Sequence, residues 1–248
     1  MVTQSVTHDD VDGGAFNSTV GKFDRTLDWS FRIWIRTADT NCRIAGCGDL
    51  FSPNVPQFDS AFGNQNFIGS GGTTAIPGAA FSASVWTFLA ATHNSGTGET
   101  TIYRKDEGSS MQSTGPFTDN TYTSGTTYDC IVVACGSGDG GIPMAGDLAG
   151  FALWTAFLSS VEIASEASYM NPSRTADLNR FYLLSTAATS GNDTSGNGYN
   201  ATGAFGGAIS GITDGPAGPN IPMSPSPAPP TAANPRSNAI FFGAGTTS

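Results

Sequence analysis

The chain has 248 residues, 20 acidic and 10 basic, for a formal net charge of −10 with Lys22 and Lys105 as its only lysines; a chain this acidic repels phosphate backbones, so nucleic acid is not expected as a partner. Charged residues make up 12% of it, about half the roughly 25% usual in globular domains, and 32 glycines favour short strands and tight turns over salt-bridged helices. No apolar run approaches the roughly 18 residues of a membrane-spanning helix, so no membrane partner is expected.

The chain starts with "MVTQSVTHDDVDGG", which has neither the basic n-region nor the apolar h-region of a secretory signal. Synthesis in a cytoplasm without general secretion is the expectation. Residues 1–13 read as an N-terminal segment. In "WSFRIWIRTA", alternation places Trp29, Phe31, Ile33 and Ile35 on one face of a strand and Ser30, Arg32, Trp34 and Arg36 on the other. "SVWTFLAATHN" and "ETTIYRKDEG" read as two strands joined by the turn "NSGTG". "DCIVVACGSGDGG" and "GDLAGFALWTAFL" give two more, the second bringing Phe151, Leu153 and Trp154 near the core. One helix is predicted in "LSSVEIASEASYMNP": Ser159 and Glu162 form a capping box, and Asn171-Pro172 ends the segment. "RFYLLST" follows as a strand, then the tight turn "GNDTSGNG". The succession predicts an all-β, two-sheet antiparallel sandwich over residues 14–221.

The cysteines fall as Cys42-x4-Cys47 and Cys130-x4-Cys135 in apolar, strand-like runs. Zinc ribbons favour closer spacing within a turn, so buried free thiols are expected rather than a four-thiolate site. A cross-sheet pair such as Cys47 with Cys130 stays open at this level.

The order of "WSFRIWIRTADTNCRIAGCGD", "VWTFLAATHNSGTGETTIYRKDEG", "MAGDLAGFALWTAFLSSVEIASEA" and "DTSGNGYNATG" resembles the laminin-G-like, concanavalin A-like lectin/glucanase superfamily. The carriers are the early aromatic strand, the Ile102–Gly108 strand after a Trp-led one, the Gly146–Ile163 strand and helix start, and the Asp193–Gly198 turn. The resemblance implies a jelly roll, a fold that hosts lectins, glycoside hydrolases, adhesion modules and viral structural proteins.

An enzyme of this kind resembles E-x-D-x-E or E-x-D-x-x-E on one strand. No such stretch occurs; Glu99, Glu107, Glu162 and Glu166 read as turn or helix residues without a carboxylate at i+2. His93 reads as part of a hairpin turn and His8 as part of the polar N-terminal segment, both on the surface, so no catalytic triad is expected. For calcium the candidates are Asp9, Asp10, Asp12, Asp139, Asp193 and Asn197, all in Gly-containing stretches where turn chemistry alone selects Asp and Asn. No metal or cofactor is therefore expected. Trp34, off the core register, is either a platform for a glycan or a residue covered by a loop. Asn17, Asn192 and Asn200 match the N-x-S/T pattern by chance in an Asn- and Ser-rich chain.

Residues 222–248 form a Pro-rich arm, stiff and extended through "SPSPAPP" and ending in three apolar residues. Pro225, Pro227, Pro229 and Pro230 with Ile240, Phe241 and Phe242 are the expected docking residues, because a pre-extended segment loses little entropy on binding. With the resemblance, the arm implies a non-enzymatic virion structural protein. The expected role is a bacteriophage capsid decoration or cement protein on the capsid surface. Its partners would be the major capsid protein or other virion subunits, with homo-oligomers open. The alternative is a carbohydrate-binding, lectin-like module, an adhesin or fibre component with a glycan partner.

Overall fold

The computed structural model describes residues 5–8, 16–40, 42–47, 56–61, 64–122, 127–132, 146–184, 191–203, 209–212 and 216. In chain order the first strands are β1 (Ser5–His8), β2 (Phe16–Asp24), β3 (Trp29–Arg36), β4 (Cys42–Cys47) and β5 (Gln57–Ala61). Next come β6 (Asn64–Gly69), β7 (Gly72–Ala75), β8 (Thr87–Asn94), β9 (Glu99–Asp106) and β10 (Gln112–Thr118). The remainder are β11 (Thr127–Val132), β12 (Gly146–Trp154), helix α1 (Ser160–Glu166), β13 (Leu178–Tyr182), β14 (Thr202–Gly203) and β15 (Ile209–Ile212).

They build two antiparallel sheets, the sandwich expected from the alternation and of the jelly-roll kind that the resemblance implied. One has eight strands in the order β10-β9-β8-β3-β12-β1-β15, with β13 also on β12. The other has seven, β14-β2-β11-β4-β5-β6-β7. The β8–β9 hairpin forms at the predicted turn, where Asn94 Oδ1 accepts the amides of Gly96 at 2.9 Å and Thr97 at 3.2 Å. That bonding is the Asx-turn chemistry that "NSGTG" encodes. Strand β1 falls inside the expected N-terminal segment and pairs with both β12 and β15.

Between the sheets lies an aromatic core. Trp29, Phe31, Ile33 and Ile35 of β3 meet Cys42 and Ile44 of β4, Phe58 of β5 and Phe67 of β6. Phe31 lies 5.2 Å from Phe58 and 6.3 Å from Phe151, ring centre to ring centre. The opposite face of β3, β8 and β12 is buried as well. Trp34, Trp86, Phe88, Tyr103, Ala152 and Trp154 pack there in one cluster with Leu158, Ile163, Ala167 and Met170 from the α1 region. Phe151 and Leu153 thus join the inter-sheet core, while Trp154 belongs to this outer one.

Helix α1 starts as predicted: Ser159 accepts from the Glu162 amide, and Glu162 Oε2 accepts the Ser159 amide at 2.8 Å. It is shorter than the sequence suggested, with its C-cap at Ala167 rather than at Asn171-Pro172. What holds it on the sheet is charged. Arg32 and Glu166 are fully buried and meet at 3.3 Å. Arg32 also donates to the carbonyls of Gly150 at 3.0 Å and Met170 at 2.7 Å. Gly150 sits at φ +55 where the β3–β12 register shifts; a Cβ there would lie 2.9 Å from Met170 Sδ and 3.0 Å from its carbonyl. The position needs glycine.

Cys42 is a buried free thiol, and burial pushes its pKa far up, with Asp39 and Asp59 adding to the effect. Cys47 and Cys130 are register partners on the adjacent strands β4 and β11, so they are neighbours within one sheet rather than across two. Cys135 lies outside the described residues.

Candidate functional site

The eight-stranded sheet is sealed on both faces over β3, β8 and β12, while β10 at its edge is largely exposed. An open cleft occurs at the free edge of the other sheet, where β6, β7 and the segment after them meet. Its volume is about 210 Å³, with Asn64, Gln65 and Asn66 on one side and Ala75, Ile76, Gly78, Ala79 and Ala80 on the other. None of these lining side chains is ionisable.

The cleft is built by a buried cation behind it. Arg104 of β9 is 2% exposed. Its Nη1 donates to Gln65 Oε1 at 2.7 Å, to the Pro77 carbonyl at 3.2 Å and to the Ala79 carbonyl. Nε and Nη2 form a fork with Asp106 at 2.8 and 3.1 Å, and Thr87 Oγ1 donates to the same carboxylate at 2.8 Å. The guanidinium lies 5.0 Å from the centre of the Phe81 ring. One side chain from one sheet thereby fixes a wall residue of the other and the turn beside it. Gly78, at φ +99, lets the turn come this close: its Cβ would stand 3.1 Å from Arg104 Nη1. With its oxygen held by Arg104, the Gln65 amide nitrogen remains as a donor of fixed orientation.

The turn between β6 and β7 is keyed by a second buried charge, Asp119. Its Oδ1 accepts from Ser70 Oγ at 2.6 Å and the Gly71 amide at 2.9 Å. Its Oδ2 accepts from Thr100 Oγ1 at 2.8 Å and Tyr122 Oη at 2.7 Å. Burial and this carboxylate push the Tyr122 pKa well up. His93 completes the group, 3.0 Å from Thr100 Oγ1 through Nδ1 and stacked on Trp29 at 5.3 Å.

This overturns one expectation. His93 lies on strand β8 and is 2% exposed, not on a surface turn; "THN" placed it beside the turn, but the hairpin begins one residue later, at Asn94. Burial holds its imidazole below the ordinary value against the pull of Asp119 and Asp28. The sequence reading missed Asp119 altogether, because a lone Asp in "FTDNTY" carries no local signal of burial.

Trp34 is not a platform. It is 3% exposed and packs edge-on to Phe88 at 5.3 Å, the covered alternative. Asp193 and Asn197 do turn work. Asp193 accepts the amides of Phe181, Ser195 and Tyr199 at 3.0, 2.9 and 2.9 Å. Asn197 Nδ2 donates to the carbonyls of Leu178 and Asn179 at 2.8 Å each. Asp9, Asp10, Asp12 and Asp139 lie outside the described residues, as do the arm residues Pro225, Pro227, Pro229, Pro230, Ile240, Phe241 and Phe242.

The glutamates weighed as catalytic are placed apart. Glu99 opens β9, a strand rather than a turn, and Glu107 follows that strand. Glu162 caps α1, where hydrogen bonds from Ser159 lower its pKa, and it also pairs with Arg174. Glu166 Oε1 accepts the Ser173 amide at 2.9 Å, the Ser173 hydroxyl at 2.7 Å and the Arg174 amide at 2.8 Å, while the carboxylate faces Arg32. Both helix carboxylates are committed to structure. Among the described residues no three of His, Cys, Asp and Glu are grouped to hold a metal.

No protein-family model matches the chain, and no curated protein matches it by sequence. Solved structures do. A candidate carbohydrate-binding protein from Bacteroides ovatus aligns with TM-score 0.58 at 14% identity, over 86% of this chain and 60% of its own. A pentraxin from Limulus polyphemus, heptameric and SAP-like, aligns with TM-score 0.52 at 9% identity, over 86% of this chain and 95% of its own. A full-length tailspike protein of an Escherichia coli O157:H7 bacteriophage aligns with TM-score 0.51 at 15% identity, over 72% of this chain and 26% of its own. This chain thus spans less than two thirds of the Bacteroides and tailspike chains. At such identities the likeness is one of fold: the chain is a jelly-roll β-sandwich of the architecture these three proteins share.

Proposed function

We propose that the chain is a non-catalytic recognition module that binds glycan at the β6–β7 cleft. The observation that carries this reading is the cleft itself, a small concavity lined by Asn64, Gln65 and Asn66 and by small apolar residues, with no ionisable lining residue. Neutral sugars are recognised by fixed donors and acceptors beside apolar patches, and Arg104 pre-sets both the Gln65 amide and the turn, so little ordering is left for binding. At about 210 Å³ the cleft is below the roughly 300–1,000 Å³ of pockets for drug-sized ligands. That suits one terminal sugar unit of a chain continuing into solvent. The fold-level likeness to a candidate carbohydrate-binding protein supports the reading.

The test is a glycan array with the full chain, followed by titration of the best hit against Ala80→Trp, which puts bulk into the cleft at an exposed position. Affinity is expected to drop at least about tenfold, roughly 1.4 kcal/mol, with an unchanged melting temperature. A blank array, or full affinity in the variant, overturns the assignment.

A second reading keeps the module on a virus particle, decorating or cementing the capsid through the arm at 222–248. Its support is the arm's composition, stiff through Pro225, Pro227, Pro229 and Pro230 and apolar at Ile240, Phe241 and Phe242, together with the occurrence of the fold in a phage tailspike. The two readings are compatible, since a fibre or decoration subunit can carry a glycan site. Hydrogen exchange over 222–248 in the isolated chain tests the arm. Fast exchange supports docking on a partner, whereas strong protection means that the arm packs on its own sandwich or within a homo-oligomer.

A further inference from the structure

Among the described residues, a short ladder joins the seven-stranded sheet near its middle. Strands β4 and β11 are joined through two register pairs among the described residues, Cys130 with Cys47 and Ile131 with Gly46. On either side the ladders run longer: β4 pairs with β5 from Cys42–Ser60 to Gly46–Gln57, and β11 with β2 from Thr127–Asp24 to Val132–Phe16. One of the two pairs in that short ladder is cysteine opposite cysteine.

Directly opposed residues of an antiparallel ladder have Cα atoms about 4.5 or 5.5 Å apart, according to whether the pair is hydrogen-bonded. Both values fall inside the roughly 4.4–6.8 Å window of disulfides. The register therefore meets the distance requirement in either case. From this juxtaposition we infer that Cys47 and Cys130 form a cross-strand disulfide once the protein leaves a reducing compartment. The exchange balances with a disulfide oxidant of the glutathione class. A thiolate of the pair attacks the oxidant and releases one reduced thiol. The second cysteine then displaces the other, leaving one new S–S bond, two reduced thiols and no net change in protons. The bond would clamp the two halves of the sheet at their shortest internal ladder. A chain folded in a cytoplasm would be soft there, and would stiffen on release into an oxidising medium.

The chain is convenient for the test. Cleavage after Lys and Arg places Cys42 in fragment 37–43, Cys47 alone in fragment 44–104, and Cys130 with Cys135 in fragment 106–174. The folded protein is incubated with glutathione disulfide, remaining thiols are alkylated, and the fragments are mapped without reduction. The expected result is 44–104 linked to 106–174 in the wild type and in Cys135→Ser, with loss of the link in Cys130→Ser. The oxidised wild type should melt about 5 °C or more above its reduced form, since the bond closes a long loop. The inference is overturned if fragment 44–104 stays alkylated after oxidation, or if it links to Cys42 or Cys135. Should a cysteine variant fail to fold, sequencing the linked wild-type pair by fragmentation decides, because it shows whether the alkylated cysteine of 106–174 is Cys135, as expected, or Cys130, which overturns the inference.

Discussion

Asp119 is the residue on which most of the polar order at the cleft end depends. Four donors from three places along the chain, Ser70 with Gly71, Thr100 and Tyr122, converge on the two oxygens of this fully buried carboxylate. Removing the acceptor leaves buried donors without partners, each costing about 1–3 kcal/mol. Asp119→Ala is therefore expected to lower unfolding free energy by about 3–5 kcal/mol in urea titration. His93 adds a pH dependence. Its pKa is held below the ordinary 6.5 by burial, so the unfolded chain binds its proton first as pH falls. The stability that depends on a neutral imidazole is then complete above pH ~6.5 and is lost as pH drops through that value toward the lower folded-state pKa. Thermal melts between pH 8 and 5 should show the decline, and His93→Phe, which keeps an aromatic ring beside Trp29, should flatten it in that window.

At the scale of elements, α1 is seven residues long and is tied to the sheet by its own Glu166, which meets the buried Arg32 of β3. Glu166→Leu strands a buried guanidinium and should cost about 3–5 kcal/mol. The double variant Arg32→Met, Glu166→Leu should cost less than the sum of the two single changes, because it removes both charges together; denaturant titration of all three proteins measures the coupling. The elements also show what a sequence discloses. The β8–β9 hairpin and the start of α1 were legible because their determinants, the Asn94 side chain and the Ser159–Glu162 box, act within three residues. Trp34 was not, because a period of two says which residues share a face and not what covers it. The cleft was equally hidden: Gln65 and Arg104 meet across 39 positions of sequence, and only the folded sandwich joins them. Nothing local marks Asn64, Gln65 and Asn66 as a wall, since a short strand rich in amides reads as solvated surface.

For the molecule as a whole, the two sheets differ in the chemistry they leave accessible. The eight-stranded sheet is buried on both faces across its centre, with strands β3 and β8 buried at seven of eight positions each and β12 at seven of nine. The seven-stranded sheet carries the cleft at its edge. A saturating mutational scan read out by folded yield would consequently print β3, β8 and β12 as solid bands of intolerance, without the every-other-residue stripe expected of a one-sided strand. Charged substitutions at Ala90, Ala149 and Ala152, which pack in the outer cluster, should be purged as severely as those at Phe31 or Leu89. Lineages descended from a common ancestor would keep these bands and drift at the rim, so distant kin of this chain would be recognisable by their scaffold long after their ligands had diverged.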